Sequence, residues 1–166
     1  MEQRDKIIQL LEDYVPMISN GGNFYIVTGD IPARKIENAV KTYAEGADRD
    51  TILALWDLSF FENGKDGFLF TESGVYYPRF LDTPKYIDYS DILSSEIRKK
   101  GKKDCESILT LCLSDGSEED WVSQFLNKTP LKAFFDALTE DIRIRRNGSG
   151  KISLYDSIRN RKITYE

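Results

Sequence analysis

Histidine is absent from the 166 residues. That excludes Ser-His-Asp and Cys-His mechanisms, histidine acid-base catalysis and histidine metal ligation. Cys105 and Cys112 are the only thiols, too few for a four-cysteine zinc site. Either thiol would need a nearby cation to become a nucleophile, and Lys102 and Lys103 precede Cys105; ordinary packing is the competing reading. Asp57, Glu62, Asp66 and Glu72 cluster in sequence, and paired carboxylates hydrolyse glycosidic bonds or hold divalent metals when their separations are right. With 28 acidic residues in the chain, chance clustering is the stronger reading. Gly64-Lys65-Asp66-Gly67 resembles a phosphate loop only superficially. A P-loop is longer, carries Ser or Thr after its lysine and opens a helix, whereas here a strand begins. The sequence therefore points to no catalytic residue, metal or cofactor.

Two sets of residues carry binding chemistry. Arg98, Lys99, Lys100, Lys102 and Lys103 surround Gly101 and read as an exposed hairpin loop. These five cations suit a phosphate-bearing surface or an acidic protein, or else they are a solvated loop whose charge protects sheet edges. The second set is aromatic: Trp56, Tyr76, Tyr77, Phe80 and Trp121 either fill the core or present an interface. Tyr76 and Tyr77 point to opposite sides of a regular strand, so one of them is the better interface residue.

The elements that must position these residues alternate between two periodicities. Ile7, Leu10, Leu11, Tyr14, Val15 and Ile18 predict a helix over about 3–18, ended at Asn20-Gly21-Gly22. Phe24 to Val27 reads as a short strand. Asp30 is the expected cap of a second helix with Pro32 in its first turn and a stripe of Ile36, Ala39, Val40 and Tyr43. Strands are expected from Ile52 to Leu58, running on towards Phe60-Phe61, then at Phe68–Thr71, Val75–Tyr77, Tyr86–Tyr89 and up to Ile97. Ser107 to Leu113 alternates, with Leu109, Leu111 and Leu113 on one side, and a last strand lies near Glu118–Val122. Thr129 and Pro130 predict the start of a helix with Leu131, Phe134, Phe135, Leu138 and Ile142 on its buried stripe, reaching about Arg143.

Residues 52–77 contain Ile-Leu-Ala-Leu-Trp-Asp, then Gly64-Lys65-Asp66-Gly67-Phe68-Leu69-Phe70-Thr71, then Gly74-Val75-Tyr76-Tyr77. With Ile87-Asp88-Tyr89-Ser90-Asp91-Ile92 and the helix from Pro130, this order resembles the bacterial pleckstrin-homology-like domains over about residues 50–142. The resemblance implies an α+β fold: a strongly bent antiparallel sheet closed by a C-terminal helix, here preceded by two further helices. It also implies a binding or assembly module without a shared catalytic set.

The expected organisation is a helical extension over 1–48 packed on the main domain, the β domain with its helix over 49–143, and a flexible or partner-docked tail over 144–166. A net charge of −5 argues against a general nucleic-acid binder. Free thiols and the lack of an apolar leader in Met1–Lys6 favour a cytoplasmic address. The functional expectation is a non-catalytic module that recognises a protein partner or itself. An anionic membrane or phosphate ligand at the 98–103 cations, and a metal-assisted carboxylate enzyme, are the alternatives.

Overall fold

The computed structural model describes residues 2–148. Helix α1 (Gln3–Ile18) forms where the periodicity predicts it and buries Ile7, Leu10, Leu11 and Ile18. Its end is stitched to the segment before the last helix: the Asn20 N–H donates to the Phe125 carbonyl, and the Asn127 N–H to the Ile18 carbonyl, both at 2.8 Å. Strand β1 (Asn23–Ile26) follows, then α2 (Ala33–Thr42). Asp30 is not its cap. Pro32 holds that position and, having no side-chain acceptor, forms no side-chain cap, while Asp30 stands two residues further out.

Strands β2 (Ile52–Asp57), β3 (Gly67–Thr71), β4 (Gly74–Arg79) and β5 (Asp82–Asp88) continue from β1 into a five-stranded antiparallel sheet in sequence order. Strands β6 (Ile92–Lys99), β7 (Ile108–Leu113) and β8 (Glu118–Trp121) form a separate three-stranded sheet. The expectation of a single, strongly bent, closed sheet of pleckstrin-homology type is therefore corrected. The fold is α+β, but among the described residues the antiparallel sheets are two and both are open. The physical reason lies in the helices. All six residues of β2 are buried, since helices cover both faces of the larger sheet and it need not curl to hide either one.

One core joins α1, the inner faces of both sheets and the last helix, α3 (Lys128–Gly148). Here Leu109, Leu111, Leu113, Phe134, Phe135 and Leu138 meet Trp56, Phe70 and Val75. A smaller core packs Ala39 and Tyr43 of α2 on Ile52, Leu55 and Leu69 from the opposite face. The register of β2 against β3 shifts between Ile52 and Ala54, which lets Leu53 and Ala54 both join the main core. Pro84 is tolerated within β5 because that strand is an edge and needs no donor on its outer side.

Three boundaries differ from expectation. Strand β2 stops at Asp57, short of Phe60-Phe61, because the Asp57 carboxylate accepts from the Ser59 N–H at 3.0 Å and from its hydroxyl, turning the chain. Helix α3 starts at Lys128 rather than Pro130, so Thr129 is not its cap but lies in its first turn, and Asp104, 25 residues earlier, accepts from the Thr129 N–H at 2.9 Å and its hydroxyl at 2.6 Å. It supplies from a distance the carboxylate that a local cap would give. The helix also runs through Gly148, where an exit was expected. The stretch from Lys151 lies outside the described residues. Among the described residues no helix is long and apolar enough to cross a membrane.

Candidate functional site

The loop from β2 to β3, residues 58–66, is pinned from below. The Asp57 side chain is wholly buried, and the Lys35 ammonium donates to it at 2.8 Å and to the Tyr25 hydroxyl at 3.0 Å. Burial alone would raise the Asp57 carboxyl, but bonds from Lys35 and Ser59 outweigh it and hold the group below the ordinary carboxylate value. The Gly64 N–H donates to the same carboxylate at 3.2 Å, and Gly64 has φ of +77° against the Lys35 backbone, where a Cβ would collide. This polar knot is structural: each oxygen of Asp57 is committed to holding the loop.

What the loop displays is apolar. Phe60 and Phe61 are 91% and 80% exposed, their rings in edge contact at 5.1 Å. The β4–β5 turn, at the same end of the sheet, displays Phe80 and Leu81 at 92% and 90%. Four large side chains this open, on two loops of one sheet end, are unusual for a surface that meets only water.

Beside them runs a cleft of about 620 Å³ between the two sheets. Phe68 and Tyr77 lie along its floor, and Leu58, Phe80, Val122 and Phe125 form apolar walls. Five carboxylates also line it, those of Asp66, Asp82, Glu118, Glu119 and Asp120, against one guanidinium, Arg79. Arg79 is already engaged, 3.4 Å from Glu119 and 3.5 Å from Asp82. The Tyr77 hydroxyl donates to Glu119 at 3.0 Å, and burial followed by the Glu119 charge pushes that phenol well above its ordinary value. Successive residues of β8 line the cleft, so it follows the outer edge of that strand rather than one of its faces. β8 pairs only with β7 and leaves that edge without a partner strand among the described residues. Such an edge offers main-chain hydrogen bonds, and the carboxylates beside it favour cations.

The structure disperses the aromatic candidates. Trp56 is buried and its indole N–H donates to the Gly21 carbonyl at 3.2 Å. Trp121 is buried beneath the cleft floor, stacked on Phe68. Tyr76 is half-buried against Tyr86 with centroids 4.6 Å apart. Tyr77 and Phe80 come together in the cleft.

The basic candidates also separate. Arg98 lies on β6 rather than in a loop and grips Glu118 at 2.5 and 2.6 Å, with Glu96 at 3.1 Å. Lys99, Lys100, Lys102 and Lys103 are exposed, and among the described residues none of their ammonium groups is in an ion pair. Of the acidic set, Asp57 is locked inside, Glu72 pairs with Arg4, Glu62 is exposed and Asp66 reaches the cleft. Among the described residues no group of three or more acidic or cysteine side chains has the geometry to hold a metal. Cys105 is buried, Cys112 half-buried, and both are free thiols.

Sequence reasoning missed the β8 carboxylates as a site, although Glu118-Glu119-Asp120 stands out as an acidic run inside a strand. Compared with protein-family models, curated proteins and solved structures, the chain gives no significant match.

Proposed function

We propose that this protein is a non-catalytic binding module that receives an extended segment of a partner protein, rich in basic and apolar side chains, along the free edge of β8. The observation that carries this reading is the cleft itself, where an unpaired strand edge, an apolar floor and five carboxylates coincide. A strand added there would gain main-chain hydrogen bonds for affinity. Its alternate side chains would meet the Phe68 and Tyr77 floor or the acidic rim for specificity. Phe60, Phe61, Phe80 and Leu81 would widen the contact beyond the cleft. Both cysteines as free thiols suit a cytoplasmic setting for this role.

The test is titration of the protein with a labelled peptide of alternating Lys or Arg and Ile or Val, alongside one in which Glu replaces each cation. The basic peptide is expected to bind, with affinity falling as salt rises, and the acidic one is not. Asp66→Asn with Asp120→Asn should weaken the basic peptide about tenfold, in line with the loss of charge pairs of about 1 kcal/mol or more. Equal affinity for both peptides, or none for either, overturns the reading.

A second reading rests on the exposed cations that follow Arg98. The exposed ammonium groups of Lys99, Lys100, Lys102 and Lys103 would meet an anionic membrane or phosphate surface. Vesicles carrying phosphatidylserine should then bind the protein at low salt, and a Lys99→Glu with Lys100→Glu variant should not be retained. Absence of vesicle binding by the unaltered protein removes this reading and leaves the cleft reading intact.

A further inference from the structure

We infer that the end of the larger sheet bearing Phe60, Phe61, Phe80 and Leu81 is a two-fold interface through which a second copy of this chain docks. The inference stands apart from the peptide reading, which the cleft floor and the β8 edge carry without these side chains.

The first observation is backbone strain. Among the described residues, positive φ outside glycine occurs at Glu62, +52°, and at Leu81, +57°. Each directly follows the exposed phenylalanines of its own loop. Arg79 pairs with Asp82, so Phe80 and Leu81 make a two-residue turn, and Leu81 takes a place that glycine or asparagine fills more easily. Its side chain is 90% exposed and contributes little to the fold of a single chain. Strain kept at an exposed apolar residue points to a contact outside the chain.

Area and charge identify the occupant. Leu58 and Asp66 of one loop and Phe80 of the other line the same cleft, so the two loops adjoin. With aromatic side chains covering about 150–250 Å² each, the four exposed residues offer roughly 600–800 Å² per copy. A stable pair needs about 800 Å² from each partner, and Val122 and Phe125, exposed beside the cleft, extend the surface further. The bonds of Asp57 already fix the 58–66 loop, which keeps the ordering cost of docking low. A two-fold pair also requires a surface complementary to itself. Rings against rings meet that condition, and so does the loop's charge. Glu62 and Lys65 are both exposed and opposite in sign, and neither is in an ion pair among the described residues. Across a two-fold axis each Glu62 would face Lys65 of the other copy. Glu62, Lys65, Asp66, Arg79 and Asp82 set two cations against three acids, so repulsion between copies is slight. An anionic membrane lacks this match.

The test is sedimentation equilibrium of the full chain from about 1 to 300 µM, a range suited to interfaces of this size. A reversible monomer–dimer transition is expected. Phe60→Ser with Phe61→Ser should weaken it at least about tenfold. Leu81→Gly should weaken it at least about threefold, while the urea midpoint of the dilute monomer stays level or rises. Glu62→Lys and Lys65→Glu should each weaken self-association about fivefold. An equal mixture of those two variants should associate as strongly as the natural protein, because opposite charges then face each other again. A monomer throughout the range, association that ignores the phenylalanine change, or a mixture no tighter than either variant alone overturns the inference. Binding of a monomer to phosphatidylcholine vesicles, lost with the phenylalanine change, assigns the surface to lipid and overturns it equally. Each of these failures leaves the cleft reading standing, since that reading is decided by the peptide titration.

Discussion

The rings of Phe68 and Trp121 stack with centroids 4.6 Å apart and planes 14° apart, joining β3 of one sheet to β8 of the other. Among the described residues no backbone ladder joins the two sheets here, so the aromatic stack, with the side-chain bonds of Tyr77 and Arg79 to Glu119, ties them together where the cleft opens above. Tyr77 and Phe135 flank Trp121 at 5.1 and 5.2 Å, which makes its indole the shared contact of both sheets and α3.

Replacing that ring should therefore cost more than an average core change. Trp121→Ala is expected to destabilise by about 3–5 kcal/mol through lost burial and an unfilled cavity. Trp56→Phe keeps most of its volume and forfeits mainly the bond to Gly21, for about 1 kcal/mol. Urea unfolding of both variants checks the ordering, and equal midpoints would show that the two tryptophans do not differ in this way.

The buried pair of Lys35 and Asp57 should confer a pH-dependent stability. Asp57 has a depressed folded value, so its contribution is complete above the unfolded carboxyl value and is lost as pH falls through the folded one. For Lys35, burial opposes the charge, but the bonds from Asp57 and Tyr25 outweigh it and raise the ammonium. Its contribution is complete below the unfolded lysine value and fades as pH rises through the folded one. The gap between the natural protein and Asp57→Asn should then be widest between about pH 4 and pH 10 and close on acidification below that window. At neutral pH Asp57→Ala should cost about 3 kcal/mol, the low end for breaking a buried pair, since Lys35 is able to turn towards water. Thermal unfolding across pH reads both effects.

Gly67 closes the β2–β3 loop at φ of +140°, and a Cβ built there would lie 1.8 Å from the Trp56 carbonyl oxygen. No rotation of a side chain relieves a clash with backbone, so Gly67→Ala should destabilise by more than about 2 kcal/mol. Gly116, also at positive φ but with nothing near its Cβ position, is the control for the backbone angle alone. Gly116→Ala should lose only about 1 kcal/mol, and denaturant midpoints separate the two causes.

Phe60→Ser with Phe61→Ser removes two rings that face water. Stability should stay within about 0.5 kcal/mol of the natural protein, or rise slightly. Binding of the basic peptide should weaken if these rings extend the contact of the cleft. A large loss of stability would instead mean that the pair packs against the chain, which calorimetry would register directly.

Much of the local structure was written into the residue pattern. The stripe of α1, the alternation of Leu109, Leu111 and Leu113, and the buried face of α3 all follow from the fixed periods of helix and strand, which act over a few neighbouring residues. The lack of histidine likewise limited the available chemistry before any folding was considered. What the pattern did not contain were relationships between distant residues. Asp104 capping α3, Lys35 reaching Asp57, Arg98 paired away with Glu118 and two sheets in place of one bent sheet each depend on which surfaces meet. The cleft is the clearest case. Asp66, Phe80 and Glu119 share no local period, and only the divergence of the sheets around the Phe68–Trp121 stack brings them to one edge.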